Sequence, residues 1–157
     1  QTMARQFFFS CYSELMFAEL ETSADPRLAE IAAKAVKEVR YHADLAADWV
    51  IRLGDGTDES RRRMIEGLDW FWRFVDEMFA MDAAENALVQ RGVAVDRAAI
   101  REAFDQRIAA TLAQAGLEVQ ASGWPLSGGR EGRHGEELSR LLAEMQVLPR
   151  AHPEAVW

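Results

Sequence analysis

Apolar residues recur every three or four positions along most of the chain, which is the spacing of one helix face. No alternating run of four or more residues bounded by turn residues indicates a strand. The pattern therefore predicts an all-α fold. The predicted helices run from about Thr2 to Thr22, from Pro26 to Gly54 with Asp25 as N-cap, from Thr57 to about Arg91, from near Asp96 to Gly116, and from about Glu131 or His134 to Leu148 before Pro149.

The second predicted helix is amphipathic, with one apolar stripe and a charged opposite face. Val39 and His42 both fall on the stripe, so we expect the imidazole to point toward the core. Glu38 lies on the flank of the stripe, one turn before His42.

The first predicted helix is apolar in almost every direction, which is typical of a helix buried on all sides. Glu14 and Glu19 lie among these apolar residues. Carboxylates in such surroundings are paired, protonated or bound to a metal, unless they reach water at a crevice. The sequence leaves these alternatives open.

The third predicted helix carries a core stripe and a second apolar stripe formed by Trp70, Phe74 and Met81. Two apolar faces predict contact with two bodies, and we interpret the second stripe as an interface with another subunit. The alternative is that both faces belong to one monomer. The arginines at 61–63 splay around the helix and are interpreted as a solvated helix start.

Inward Glu and His on long helices suggest a di-iron carboxylate bundle, which needs Glu-x-x-His pairs because that spacing directs both ligands to the same metals. Three positions before His42, however, stands Val39, which cannot ligate iron. The pair Glu131 and His134 has the correct spacing but lies among glycines, so a metal role is not expected there. His152 is expected to be exposed to solvent.

Composition bounds the remaining classes of function. The 157 residues are 49% hydrophobic, enough for a globular core, and 18 Lys and Arg against 26 Asp and Glu give a net charge of −8. An acidic chain is repelled by nucleic acid and by anionic membrane surfaces, so we expect neither as a partner. With Cys11 as the single cysteine, no signal peptide and no apolar run of about 20 residues, we expect a cytoplasmic protein that does not enter membranes.

Several ordered segments resemble the C-subunit family of bacterial phenylacetyl-CoA epoxidases, which are multicomponent monooxygenases of phenylacetate degradation. The segments are AKAVKEVRYH at 33–42, DWVIRLGDGT at 48–57, GGREGRH at 128–134, LLAEMQ at 141–146 and the final Trp157. The resemblance covers essentially the whole chain. Family members carry further helices before the segment that starts at Gln1, so residues 1–157 are interpreted as the C-terminal part of a single ferritin-like domain, with Gln1 as a cut edge.

The resemblance implies a ferritin-like bundle with additional C-terminal helices that is a structural subunit and is not catalytic by itself. It also implies that a homologous A subunit holds the di-iron centre and the acyl-CoA substrate, that other subunits join the complex, and that this chain carries no cofactor. Val39 stands where the catalytic relative has Glu, so the positions of Glu38, Val39 and His42 would be vestigial.

Two other hypotheses remain open from the sequence. One is an active di-metal oxidase or ferritin-like iron protein that uses Glu14 or Glu19 together with Glu38 and His42. The other is a stand-alone helical adaptor.

Overall fold

The computed structural model describes residues 1–120 and 123–156, and every regular element in these ranges is helical. The all-α prediction is confirmed. Trp157, one of the residues of the resemblance, lies outside the described residues. The helices are α1 (Thr2–Leu20), α2 (Pro26–Gly54), α3 (Asp58–Trp72), α4 (Val75–Phe79), α5 (Ala83–Gln90), α6 (Arg101–Ala115), α7 (Glu136–Met145) and α8 (Val147–Ala151), with a short 3-10 turn at Gly129–Glu131.

The ends of α2 and α6 follow local sequence signals. The Asp25 carboxylate accepts hydrogen bonds from the backbone N–H groups of Arg27 and Leu28, and Pro26 occupies the first helical turn, where no N–H is needed. Helix α6 ends at Gly116, whose φ of 59° is in the left-handed region that favours glycine. The start of α2 and the end of α6 agree with the sequence prediction, whereas α6 begins at Arg101 and not near Asp96.

The single long helix predicted from Thr57 to Arg91 is wrong, because the structure divides this stretch into α3, α4 and α5. The Asp82 side chain accepts from the N–H of Glu85, whose carboxylate accepts from the N–H of Asp82. This capping box starts a new helix and competes with continuation of the old one. Met81 therefore lies between α4 and α5 and does not continue a stripe with Trp70.

The last predicted helix also differs from the structure. It begins later, at Glu136, and is divided at Gln146. The sequence places Pro149 after the helix, but this residue lies in the first turn of α8, where a missing N–H breaks no helical hydrogen bond.

The core lies where α1 packs against α2, with α3 and α6 completing the layer. Aromatic rings meet edge to face within it: Phe8 with Trp72, and Phe79 with both Tyr12 and Phe104, at centroid distances of 5.2–5.6 Å. The predicted burial of the first helix on all sides is wrong for Phe9, whose surface is 48% exposed. One side of α1 thus remains open in the described structure.

The structure corrects the prediction that His42 on α2 points toward the core. The buried line of this helix is Ala32, Val36, Ala43, Ala46 and Val50. His42 is adjacent to that line and exposed, and Val39 is half-buried. The small alanines allow neighbouring helices to approach α2 closely, so the packed face centres on them and the polar imidazole faces outward.

The described chain forms two compact units, residues 1–126 and residues 127–157. The second unit contains α7 and α8, whose apolar residues Leu141, Met145 and Val147 are exposed. A single domain over residues 1–157 stays a prediction. No helix in the described ranges is both long enough and apolar enough to cross a bilayer.

Candidate functional site

Glu14 is the one acidic side chain among the buried residues of α1, and two arginines hold its carboxylate. The Nε of Arg40 on α2 donates to Oε1 at 2.9 Å, and Nη1 of Arg107 on α6 donates to Oε2. Arg107 also donates to Oδ1 of Asp44 at 2.9 Å. Charged side chains from three helices therefore meet at Glu14, and we call these four residues the Glu14 cluster.

The Glu14 cluster contains two carboxylates and two guanidiniums, so its formal charges cancel. Of the states that the sequence leaves open for Glu14, the structure has the ion pair. A balanced, hydrogen-bonded cluster allows a carboxylate to be withdrawn from water without neutralisation or a metal.

Cys11 lies one turn before Glu14 on α1 and is fully buried. Burial raises the pKa of its thiol to about 12; the Arg107 charge lowers this pKa, and the Glu14 and Asp44 charges raise it. Because the thiolate is the form that attacks electrophiles and binds metals, Cys11 is suited to neither role at neutral pH.

The described residues do not form a di-iron centre among themselves. Both oxygens of Glu14 accept from guanidiniums, and Glu38 and His42 are exposed on α2. Within residues 1–120 and 123–156, no group of three His, Cys, Asp or Glu side chains is placed to hold a metal ion. A ferritin-like centre needs four carboxylates and two imidazoles facing inward, which this arrangement does not supply.

Glu19 lies near the C-terminal end of α1, five residues after Glu14, and is exposed. It borders a cleft of about 290 Å³ formed with the segment that follows α5. Two hydrogen bonds close the base of this cleft, from the Ser23 hydroxyl to the Val93 carbonyl and from the Ala24 N–H to the Gly92 carbonyl. Glu19 is therefore exposed at this cleft and is not one of the residues that hydrogen-bond to Glu14.

The Glu131 and His134 pair lies in the second compact unit, where both side chains are exposed. Glu131 forms an ion pair with Arg133. The absence of a metal role for this pair stays a prediction. His152 is exposed, which confirms the prediction.

Two of the three predicted interface residues are brought together. Trp70 is 45% exposed and Phe74 is 37% exposed, and their rings meet edge to face at 6.4 Å. Met81 is separate: its sulfur accepts the Arg97 N–H at 3.5 Å. An exposed aromatic pair at the end of α3 therefore replaces the predicted stripe.

Arg61 is a structural residue that the sequence pattern did not reveal. Its guanidinium donates to the carbonyls of Gly54, at the end of α2, and of Ala115 and Gly116, at the end of α6. A cation at helix C-termini satisfies carbonyls that lack helical partners. Arg62 and Arg63 are exposed and pair with Glu59, so the interpretation as a solvated helix start holds for these two only.

The arginines that the sequence pattern missed share a reason. Arg40 and Arg107 pair with a carboxylate 26 and 93 positions away, and Arg61 reaches carbonyls 54 and 55 positions away besides that of Gly54, so no local pattern pairs them. The nearest local signal is the apolar residues around Glu14. They indicate that its carboxylate needs a counter-charge, but they do not identify the residue that supplies it.

Comparison with known proteins places these observations in a family. The chain is 40% identical over 156 residues to the C subunit of the 1,2-phenylacetyl-CoA epoxidase of Escherichia coli (strain K12). The aligned region covers 99% of this chain and 63% of the relative, so the chain spans less than two thirds of that relative's length. The phenylacetic acid catabolic protein family matches residues 1–157. The resemblance drawn from the sequence is thereby confirmed, and this all-α, ferritin-like chain belongs to the phenylacetic acid catabolic protein family.

Proposed function

We propose that this chain acts as a structural, non-catalytic subunit of a phenylacetyl-CoA epoxidase in phenylacetate degradation. The support for the complex is the 40% identity to the C subunit of such an epoxidase. In this proposal a homologous catalytic subunit supplies the di-iron centre and binds the acyl-CoA, and other subunits complete the assembly. The proposal includes no nucleic-acid or membrane partner, and the cytoplasmic setting stays a prediction.

The observation that carries the non-catalytic role is the occupation of Glu14 by Arg40 and Arg107. Two guanidiniums supply the positive charge that a metal would otherwise bring to a buried carboxylate. Each guanidinium also donates to one of the two carboxylate oxygens, so a metal bound to Glu14 would compete with both ion pairs. We therefore infer that the Glu14 cluster holds α1, α2 and α6 together and carries no reaction.

Val39 and the exposed His42 support the same inference, because the Glu-x-x-His spacing is absent where the family resemblance implies that the catalytic subunit has it. Nothing in the described residues favours the alternative of an active di-metal oxidase. The vestigial assignment of Glu38, Val39 and His42 remains part of this proposal.

The test is reconstitution of the epoxidase from separately purified subunits, with and without this chain, followed by metal analysis of each subunit and assay of phenylacetyl-CoA epoxidation. We expect no stoichiometric iron in this chain and no activity from it alone, with assembly and activity of the complex dependent on its presence.

Two results would contradict the proposal. About two iron atoms per chain, the content of a di-iron bundle, would show that it holds its own centre. Full assembly and activity in its absence would remove the scaffolding role.

A further inference from the structure

Residues 80–97, which include α5, form a closed loop between α4 and α6, and we call this segment the α5 loop. Its two ends meet, because the Arg97 guanidinium donates to the Ala80 carbonyl at 3.1 Å. Inside the loop, backbone N–H groups that follow α5 donate to the Leu88 carbonyl and turn the chain back. The α5 loop is therefore a local unit that is closed at its base by one arginine.

The chain is well packed on both sides of the α5 loop. Phe79, which precedes the loop, packs edge to face against Tyr12 and Phe104 at centroid distances of 5.4 and 5.2 Å. Ile100, which follows the loop, is buried in the hydrophobic core. Both ends of the loop are thus fixed by the core, so residues 80–97 can move without displacing the core helices.

The α5 loop contributes little to the hydrophobic core. None of its residues is buried, and Val95 is the side chain in it that packs against the core. Hydrogen bonds join the loop to the segment after α1, from the Ser23 hydroxyl to the Val93 carbonyl and from the Ala24 N–H to the Gly92 carbonyl. Because apolar burial is the main source of stability, a segment with so little of it opens at a lower free-energy cost than the core helices.

Arg97 holds the base of the α5 loop through more than its contact with Ala80. Its guanidinium also forms an ion pair with the Glu85 carboxylate, and its backbone N–H donates to the Met81 sulfur at 3.5 Å. The Arg97 and Glu85 side chains are 20% and 17% exposed, so solvent screens this ion pair less than a surface pair. Since Glu85 also accepts the Asp82 N–H, the same carboxylate caps α5 and ties it to the base of the loop.

We propose that the α5 loop is a flap that opens as one unit while the core helices stay folded, and that the ion pair of Arg97 with Glu85 holds it closed. Opening breaks the hydrogen bonds of Ser23 and Ala24 to the loop. It also widens the cleft of about 290 Å³ that residues 92–96 form with the end of α1. The movement is a property of this fold and does not depend on the role proposed for the chain in an epoxidase.

Hydrogen–deuterium exchange of the purified protein, followed amide by amide with NMR, tests the flap. Three hydrogen-bonded amides report on it: Asn86 and Val93 inside the loop, and Ala24, which donates to the loop. We expect all three to exchange about a hundredfold or more faster than the buried amides of α1 and α6, with similar protection factors, because one local opening exposes them together. Protection equal to that of α1 and α6, or protection factors that differ widely among the three amides, would overturn the flap.

Arg97→Gln tests the ion pair that holds the flap closed. We expect exchange of the three amides to accelerate about tenfold, with no change in α1 and α6, because only the closed state loses a contact. Glu85→Gln keeps an acceptor for the Asp82 N–H and should act in the same direction. Unchanged exchange in the loop would overturn the role of Arg97, and so would an equal acceleration in the loop and in α6.

Arg62→Gln is the matched control. Arg62 also pairs with two carboxylates, those of Glu59 and Glu66, but on the exposed surface of α3. We expect the three amides to exchange as in wild type. Acceleration as large as that in Arg97→Gln would show that the loop responds to the loss of any ion pair, which would overturn the assignment to Arg97.

Limited trypsin digestion gives a second readout on the same variants. Arg91 is an exposed cleavage site within the α5 loop, and it remains in Arg97→Gln. If cleavage requires opening, its rate should rise about tenfold in Arg97→Gln, in step with amide exchange, and stay at the wild-type value in Arg62→Gln. Equal cleavage rates at Arg91 in wild type and Arg97→Gln would contradict the flap.

Discussion

Arg107 donates a hydrogen bond to the carboxylate of Glu14 across 93 positions of the sequence. This ion pair joins α6 to α1, and Arg40 joins α2 to the same carboxylate at 2.9 Å. The Glu14 carboxylate is nearly buried, with a side chain 11% exposed, while the Arg40 side chain is 60% exposed. Leaving Glu14 unpaired should therefore cost more free energy than leaving Arg40 unpaired, because the Arg40 side chain stays in contact with water.

Glu14→Gln should destabilise the protein by about 2 kcal/mol, because it leaves Arg107 partly buried without a full counter-charge and weakens two charged hydrogen bonds. Urea unfolding followed by circular dichroism measures the change in the free energy of unfolding.

Glu66→Gln is the control for this variant. It removes a pair with Arg62 in which both side chains are more than half exposed, and such pairs contribute about 0–1 kcal/mol. Equal losses in the two variants would show that the Glu14 cluster is no more important than a surface pair.

Val39→Glu restores Glu-x-x-His spacing with His42, and we expect it to bind no stoichiometric iron. His42 is exposed and the Glu14 oxygens are held by arginines, so the new carboxylate would face no second ligand set. Metal analysis of the purified variant after iron loading tests this. Stoichiometric iron in the single variant would contradict the exclusion of a metal from Glu14 by its two arginines.

Cys11 should be unreactive toward thiol reagents in the native protein at pH 8 and reactive in denaturant. Its side chain is fully buried, and burial raises its pKa from 9.0 to about 12. The rate of alkylation with and without urea measures this. Rapid reaction of the native protein would mean that α1 opens readily at this position.

The same thiol makes stability depend on pH in the alkaline range. Its pKa is higher in the folded state, so its contribution is full below pH 9 and declines as the pH rises toward about 12, because only the unfolded chain ionises. The free energy of unfolding of wild type relative to Cys11→Ala should therefore fall above pH 9. A constant difference across that range would contradict the raised pKa.

Gly54→Ala should destabilise the protein by about 1–3 kcal/mol through overpacking. A Cβ at this position would lie 2.8 Å from Cδ1 of Leu117 and 3.0 Å from Cβ of Ala115, where the ends of α2 and α6 meet. Thermal unfolding measures the effect.

Gly67→Ala provides the comparison. The added Cβ would lie 3.3 Å from Cβ of Ala4, a smaller overlap, and alanine is favoured over glycine by about 1 kcal/mol inside a helix. We expect this change to be close to neutral. A larger loss at Gly67 than at Gly54 would contradict the packing argument.

The sequence by itself determined the helical class, both ends of α2, the C-terminal end of α6, and the family. Helix periodicity, the Asp25 cap and the left-handed Gly116 are local, so each is encoded within a few residues. The core stripe that the same periodicity predicts on the third helix corresponds to buried positions of α3, Met64 and Leu68.

Only the tertiary structure decided which face of α2 is buried, where the third predicted helix divides, and what Glu14 contacts. A stripe about 100° wide tolerates a rotation that moves His42 from the core to the surface, and close packing on alanines selected the rotation. The partner of a buried carboxylate can come from distant segments of the chain. The apolar residues around Glu14 indicate that its charge needs a partner, but only the folded structure shows that Arg40 and Arg107 supply it.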